Sequence, residues 1–276
     1  MDQKQNQPIP FTKNHPEFIY EEGIFGSLSD YIEKIQKTED PYNVPADKFW
    51  DIYGGADENT AAIFHFRAIE DFNNKKLFVR EPYFGRLDYQ NEGENRASFY
   101  IGKQSYENED ITIICWMAPV GSLFYKKPQN SSEKVVYFTP GGPIRALMKL
   151  KRNIKIQAGE IYGIFDDYDF RHDSGLVQTS EVQQDVLTNV LNSRGSPFLQ
   201  DIVQTIQEEQ DNLIREKPDC FLLINGVAGS GKSSVAYHRV AYLLYPKVDP
   251  RNLDKGNKPS NVIIFQPHIY DNMKIM

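Results

Sequence analysis

One stretch restricts what this chain can fold into more than any other. Residues 226–233 read Gly-Val-Ala-Gly-Ser-Gly-Lys-Ser, a full match to the pattern G-x-x-x-x-G-K-[ST]. An apolar run of strand length, Cys220-Phe-Leu-Leu-Ile-Asn225, precedes it, and a helical pattern follows from Ser233 until Pro246 stops it. Strand, glycine loop and helix together are the context in which this motif holds phosphate. Gly226, Gly229 and Gly231 permit backbone angles that a Cβ would forbid, so the N–H groups of Val227, Ala228 and Ser230 can converge on anionic oxygens at a positive helix end. Lys232 is expected to reach the β and γ phosphates. Ser233 is expected to offer its hydroxyl to Mg²⁺, with Ser234 beside it. The expectation is an ATP site with Mg²⁺ as its metal.

A phosphate-loop ATPase also needs an aspartate at the end of a later strand to hold the metal. Downstream lies one more strand candidate, residues 261–266, and the chain ends at Met276. Hydrolysis by this chain alone is therefore expected to be negligible. Upstream, residues 161–165 followed by Asp166 and Asp167 imitate the missing motif. They read instead as a hairpin strand running into a solvated acidic turn.

The rest of the chain divides by pattern into three parts. Residues 1–76 form a helical N-terminal arm, expected to be weakly packed, with helical periodicity over 28–35 and 59–72. Residues 77–178 form a β-rich segment with strands at 83–89, 97–102, 111–116, 134–138, 154–157 and 160–165, suggesting an antiparallel sheet or small barrel. Residues 179–276 return to helix, with a capping-box pattern at Ser180–Gln183 and a second helix over about 198–215, and then enter the loop. The fold class expected is α/β: a partial phosphate-loop NTPase lobe of RecA-like type, with the β-rich segment and helical arm upstream.

Composition narrows the functions. The net charge of −7 argues against a large sequence-independent nucleic-acid surface. The local basic cluster Arg145, Lys149, Lys151, Arg152 and Lys155 reads as the solvated face of a strand. Cys115 and Cys220, both in apolar runs, read as small core residues, which fits a reducing cytoplasm. The longest apolar stretch, residues 111–125, is too short to span a bilayer. Tyr83, Phe84, Tyr100, Trp116, Phe124 and Tyr125 read as core rather than as a stacking surface for bases, and His238 and Arg239 as packing or surface residues.

Several segments carry a family resemblance. Residues 82–88, 116–125, 150–152 and 202–210 are similar to characteristic stretches of HelD-like superfamily 1 helicases, and Gln210, with Ile206 before it, resembles the glutamine motif of the UvrD and PcrA type. The resemblance covers roughly residues 77–266. It implies an ATP-binding segment in which Gln210 contacts the adenine edge, and RNA polymerase as partner. Two other classes stay open: a non-catalytic interaction protein that retains the loop, and a phosphate-loop kinase or other transferase.

Overall fold

In the computed structural model the described residues are 11–44, 46–54, 57–157, 159–171, 203–217, 220–227 and 229–245. Four helices come first: α1 (Pro16–Gly26), α2 (Ser29–Gln36), α3 (Ala46–Tyr53) and α4 (Glu58–Arg80). Asp57 starts α4 by accepting from the Thr60 N–H at 2.8 Å, an N-cap that satisfies one of the donors every helix start leaves over. This helix runs to Arg80, past the expected end of the helical arm. Helix α1 was not expected, and its buried side chains explain why. They are Phe18 and Glu21, and an acid on the buried face breaks the apolar stripe by which a helix is recognised.

Seven strands follow: β1 (Gly85–Asn91), β2 (Arg96–Gly102), β3 (Tyr106–Glu107), β4 (Thr112–Cys115), β5 (Lys134–Thr139), β6 (Gly142–Gln157) and β7 (Glu160–Asp169). They form one sheet in the order β3-β4-β2-β1-β6-β5, with β7 also on β6. The pairs are antiparallel except β2–β4, which is parallel. The sheet is therefore the expected one with a parallel pair added, and the path from β3 to β5 leaves it open rather than closed into a barrel. Strand β6, expected only over its last residues, is 16 residues long. Its first part pairs with β5 and its second with β7, and the register against β7 shifts between Lys151 and Arg152.

Two cores flank this sheet. Alternation along β2 sends Tyr100 to one side and Phe99 and Ile101 to the other. Tyr100 joins Phe18, Leu28, Ile35 and Phe78 from α1, α2 and α4, so the first two helices are packed on the sheet and the expectation of weak packing is corrected. Phe99 and Ile101 join a core that contains Trp116, Leu123, Phe124 and Tyr125 from the turn of 3-10 helix at Pro119–Tyr125. That turn lies close against β1. The Phe84 and Phe124 rings meet edge to face at 5.4 Å, and a Cβ on Gly85 would lie 2.3 Å from the Phe124 ring. All six aromatics read as core are buried.

Of the basic cluster on β6, Arg145 is exposed and Lys149 and Lys155 are half-buried, but Lys151 and Arg152 do not lie on a solvated face. Arg152 is fully buried, and its guanidinium bonds Asp166 Oδ1 at 2.7 Å, Asp166 Oδ2 at 3.0 Å, Glu17 at 2.5 Å and Glu21 at 2.8 Å. Glu21 also accepts from Arg86 at 3.2 Å and from the Tyr100 hydroxyl at 2.6 Å. Glu17 and Glu21 lie one turn apart on one face of α1, so this helix is clasped to the sheet by charge as well as by Phe18. Lys151, likewise buried, holds Asp167 at 2.8 Å.

Candidate functional site

The elements around the glycine loop are α5 (Glu208–Ile214) and α6 (Lys232–Leu244), both seated on the second core through Ile214 and Val235. Gly231 is the N-cap of α6 at φ 80°, and Gly229 stands at φ 82°, so both occupy the left-handed region that only glycine enters without strain. Gly226 is required for space: a Cβ there would lie 2.7 Å from Ser230 Oγ. The Ser230 N–H donates to the Val227 carbonyl at 3.3 Å, which tightens the loop. Lys232 opens α6, and its ammonium turns back over the loop to the carbonyls of Gly226 at 2.9 Å and Val227 at 2.7 Å. Ser233, exposed, and Ser234 follow in the first turn of α6. Ala228 lies outside the described residues.

The strand expected before the loop is not one. Residues 220–227 belong to no ladder, and Phe221, Leu223 and Val227 are 93%, 80% and 79% exposed. A strand needs at least one neighbouring strand to pair with, and no described strand pairs with this segment. Cys220 is accordingly exposed rather than a core residue, whereas Cys115 is buried. The candidates at 180–183 and 261–266 lie outside the described residues. Of the helix expected over about 198–215, residues 198–202 lie outside the described residues, and the rest is a 3-10 turn at Val203–Thr205 followed by α5, because Gln207 takes an extended N-cap conformation between them.

Gln210 is brought to the loop. It is the third residue of α5, where its Oε1 accepts the Gln207 N–H at 3.1 Å in a reciprocal capping box. Its Nε2 faces Gly231 closely enough that a Cβ there would sit 3.1 Å from it. Asp166 and Asp167 are not brought there. Both lie within β7 rather than in a turn, Asp166 paired with Arg152 and Asp167 with Lys151 and Asn153. Burial raises the Asp166 carboxyl above its usual range, against the opposing pull of Arg152. Among the described residues no group of three or more His, Cys, Asp or Glu could hold a metal ion.

Two arginines that the sequence marked weakly or not at all organise this corner. Arg215, just past α5, reaches the carbonyls of Trp116 at 2.5 Å, Met117 at 3.3 Å and Ala118 at 3.1 Å and the carboxylate of Asp211 at 2.7 Å. Asp211 is buried, which pushes its carboxyl up despite Arg215. Arg239 spans from α6 to the end of α5. His238 is buried with its ring edge-on to Trp116 at 5.6 Å and its Nδ1 2.7 Å from the Ser234 carbonyl, and burial lowers its pKa. The sequence has the means to mark Arg239 as internal, since it lies two full turns after Lys232 on the same face of α6.

Among the described residues no helix is long and apolar enough to cross a membrane. A family model described as DNA helicase IV HelD, N-terminal domain, matches residues 25–181, from the end of α1 past the end of β7. No curated protein matches the chain.

Proposed function

The chain belongs to the family of the HelD N-terminal domain, and from that membership we propose that residues 226–234 and Gln210 bind ATP in the manner of UvrD- and PcrA-type superfamily 1 helicases. The observation that carries the reading is the meeting of Gln210 with Gly231 at the start of α6, beside Lys232. Two readers of one nucleotide would then stand on either side of a glycine. The N–H groups at the helix start and the Lys232 ammonium would take the phosphates, where the helix dipole favours anions. The amide of Gln210 can accept from adenine's amino group and donate to a ring nitrogen, whereas guanine presents a carbonyl where adenine presents that amino group. Ser233 would hold Mg²⁺, which supplies charge neutralisation between the β and γ phosphates when bound. RNA polymerase is the partner proposed, with family membership as its support, and the cytoplasm is the compartment proposed.

Isothermal titration of Mg-ATP tests the site. Lys232→Ala is expected to weaken binding at least about tenfold, the loss of one charge-assisted phosphate contact. Equal affinity in the variant rules the loop out as the site.

A further inference from the structure

A helix as short as α5, seven residues, does not hold its own conformation in water, so where it places Gln210 depends on what tethers it. Three tethers are present. Lys126 holds the outer face, 3.2 Å from Glu208 and 3.0 Å from Asn212. Arg215 fixes the C-terminal end to the carbonyls of Trp116, Met117 and Ala118, and thus to the sheet. Arg239 is different, because it belongs to the same helix as Lys232.

Its guanidinium gathers the carbonyls at the end of α5. Nη1 donates to Leu213 at 3.1 Å, Ile214 at 3.1 Å and Glu216 at 2.9 Å, and Nη2 donates to Lys217 at 2.9 Å. Those of Leu213 and Ile214 belong to the last turn of the helix, whose carbonyls a helix terminus leaves over, those of Glu216 and Lys217 lie just beyond it, and a cation there also meets the negative end of the helix dipole. A planar fork with five donors can serve several such acceptors at once, which an ammonium on a flexible stem cannot. Helix α5 therefore meets α6 at both ends, with Gln210 packed close to Gly231 at one and Arg239 bonded to its last carbonyls at the other. Arg239 and Lys232 are seven residues apart on one helix face, so the bracket sets the distance between the glutamine amide and the loop.

We propose that Arg239 is a positioning residue for base selection: by bracing α5 against α6 it holds Gln210 where it can discriminate adenine from guanine. This inference rests on the reading of Gln210 as the base contact. Arg239 touches neither base nor phosphate itself, and its loss should blur the choice of base while leaving the grip on phosphates.

The test is titration of the full chain with Mg-ATP, Mg-GTP and Mg-tripolyphosphate, the last carrying no base. Wild type, Gln210→Ala, Arg239→Gln and Arg239→Lys are compared, with far-UV circular dichroism and thermal melting confirming that each is folded. Arg239→Gln keeps part of the stem and two donors but removes the fork and its charge. Wild type should prefer ATP by about 5- to 150-fold, the range for leaving one buried polar group unpaired, and Gln210→Ala should abolish this preference. Arg239→Gln should bring the ATP/GTP ratio to within about twofold of unity with tripolyphosphate affinity held within about threefold. If Arg239→Gln does not fold, Arg239→Lys decides on the same ratio, which must fall by at least about half. A variant at Arg239 that keeps the wild-type ratio while Gln210→Ala has lost it overturns the inference and leaves the glutamine reading standing. Equal weakening of all three ligands also overturns it, since it marks general damage. Wild type that binds GTP as well as ATP, or Gln210→Ala that keeps the preference, instead refutes the glutamine reading beneath.

Discussion

Replacing Arg152 by methionine should be among the most damaging single changes in the sheet. Adding the four hydrogen bonds of its guanidinium at about 1.5–3 kcal/mol each would overstate the loss, because most of its partners have others. Glu17 keeps Arg171 at 2.9 Å, and Glu21 keeps Arg86 at 3.2 Å and the Tyr100 hydroxyl at 2.6 Å. Asp166 loses both of its bonds to Arg152 and is left a buried carboxylate without that compensation. The expected loss is thus that of breaking one buried pair, about 3–5 kcal/mol, against total stabilities of about 5–15 kcal/mol. Urea unfolding followed by circular dichroism measures it, and Asp166→Asn added to Arg152→Met should restore more than about 1 kcal/mol by removing the stranded charge. The exposed pair Lys37–Glu33, whose side chains are 73% and 62% accessible, supplies the contrast: Lys37→Ala should cost at most about 0.5 kcal/mol. A loss below about 1 kcal/mol in Arg152→Met, at unchanged m-value, would mean that the clasp on α1 contributes little and that apolar packing alone seats the helix.

Three further outcomes are expected. Burial lowers the pKa of His238, so the unfolded chain takes up a proton first as pH falls below about 6.5. The stability held by the neutral ring above that pH should be lost on acidification, and His238→Gln should flatten melting temperature between pH 7 and 5.5; parallel curves would refute this. A Cβ on Gly121 would lie 2.6 Å from the Trp116 carbonyl oxygen, so Gly121→Ala should cost about 1–3 kcal/mol, whereas Gly23→Ala, on an exposed part of α1 with nothing within 4 Å, should stabilise by about 0.5–1 kcal/mol; thermal melts that rank the two the other way would refute the packing described. Asp167→Asn should leave Mg-ATP affinity unchanged, because the carboxylate is held by Lys151 at 2.8 Å and bonded by Asn153, and a changed magnesium dependence in calorimetry would show that it reaches the site.

What the sequence made legible was local. The edges of β2, β4 and β5, to within a residue, the helical periodicity of α2 and the left-handed Gly229 and Gly231 of the loop each follow from patterns a few residues wide, and each is in place. What it hid depends on partners far along the chain. Arg152 lies 131 residues from Glu21, and no window of sequence shows that Arg152 will be paired with a helix near the start while Lys151 pairs with Asp167 across β6 and β7. Without that knowledge Lys151 and Arg152 read as a wet face and Asp166 and Asp167 as a turn, and β6 loses most of its length. The segment at residues 220–225 fails for the opposite reason: its apolar pattern suits a strand, but a pattern supplies one edge of a ladder and cannot supply the neighbour.

The same distinction separates the two halves of the candidate site. In the site proposed, phosphate recognition by backbone N–H groups would draw on eight consecutive residues, since glycine angles and a helix start suffice for it. Recognition of a base would need a side chain from another element held at fixed distance, and the helix that carries Gln210 is held by Arg215 on the carbonyls of Trp116, Met117 and Ala118 and by Arg239 on those of Leu213 and Ile214. A glutamine on a seven-residue acidic helix has no reason of its own to face a glycine loop. The far end of that helix is held by Arg239 on the carbonyls of Leu213 and Ile214 and by Arg215 on those of Trp116, Met117 and Ala118, so under the proposed reading selectivity should be the property of this site most easily lost by mutation at a distance, and phosphate affinity the property most resistant to it.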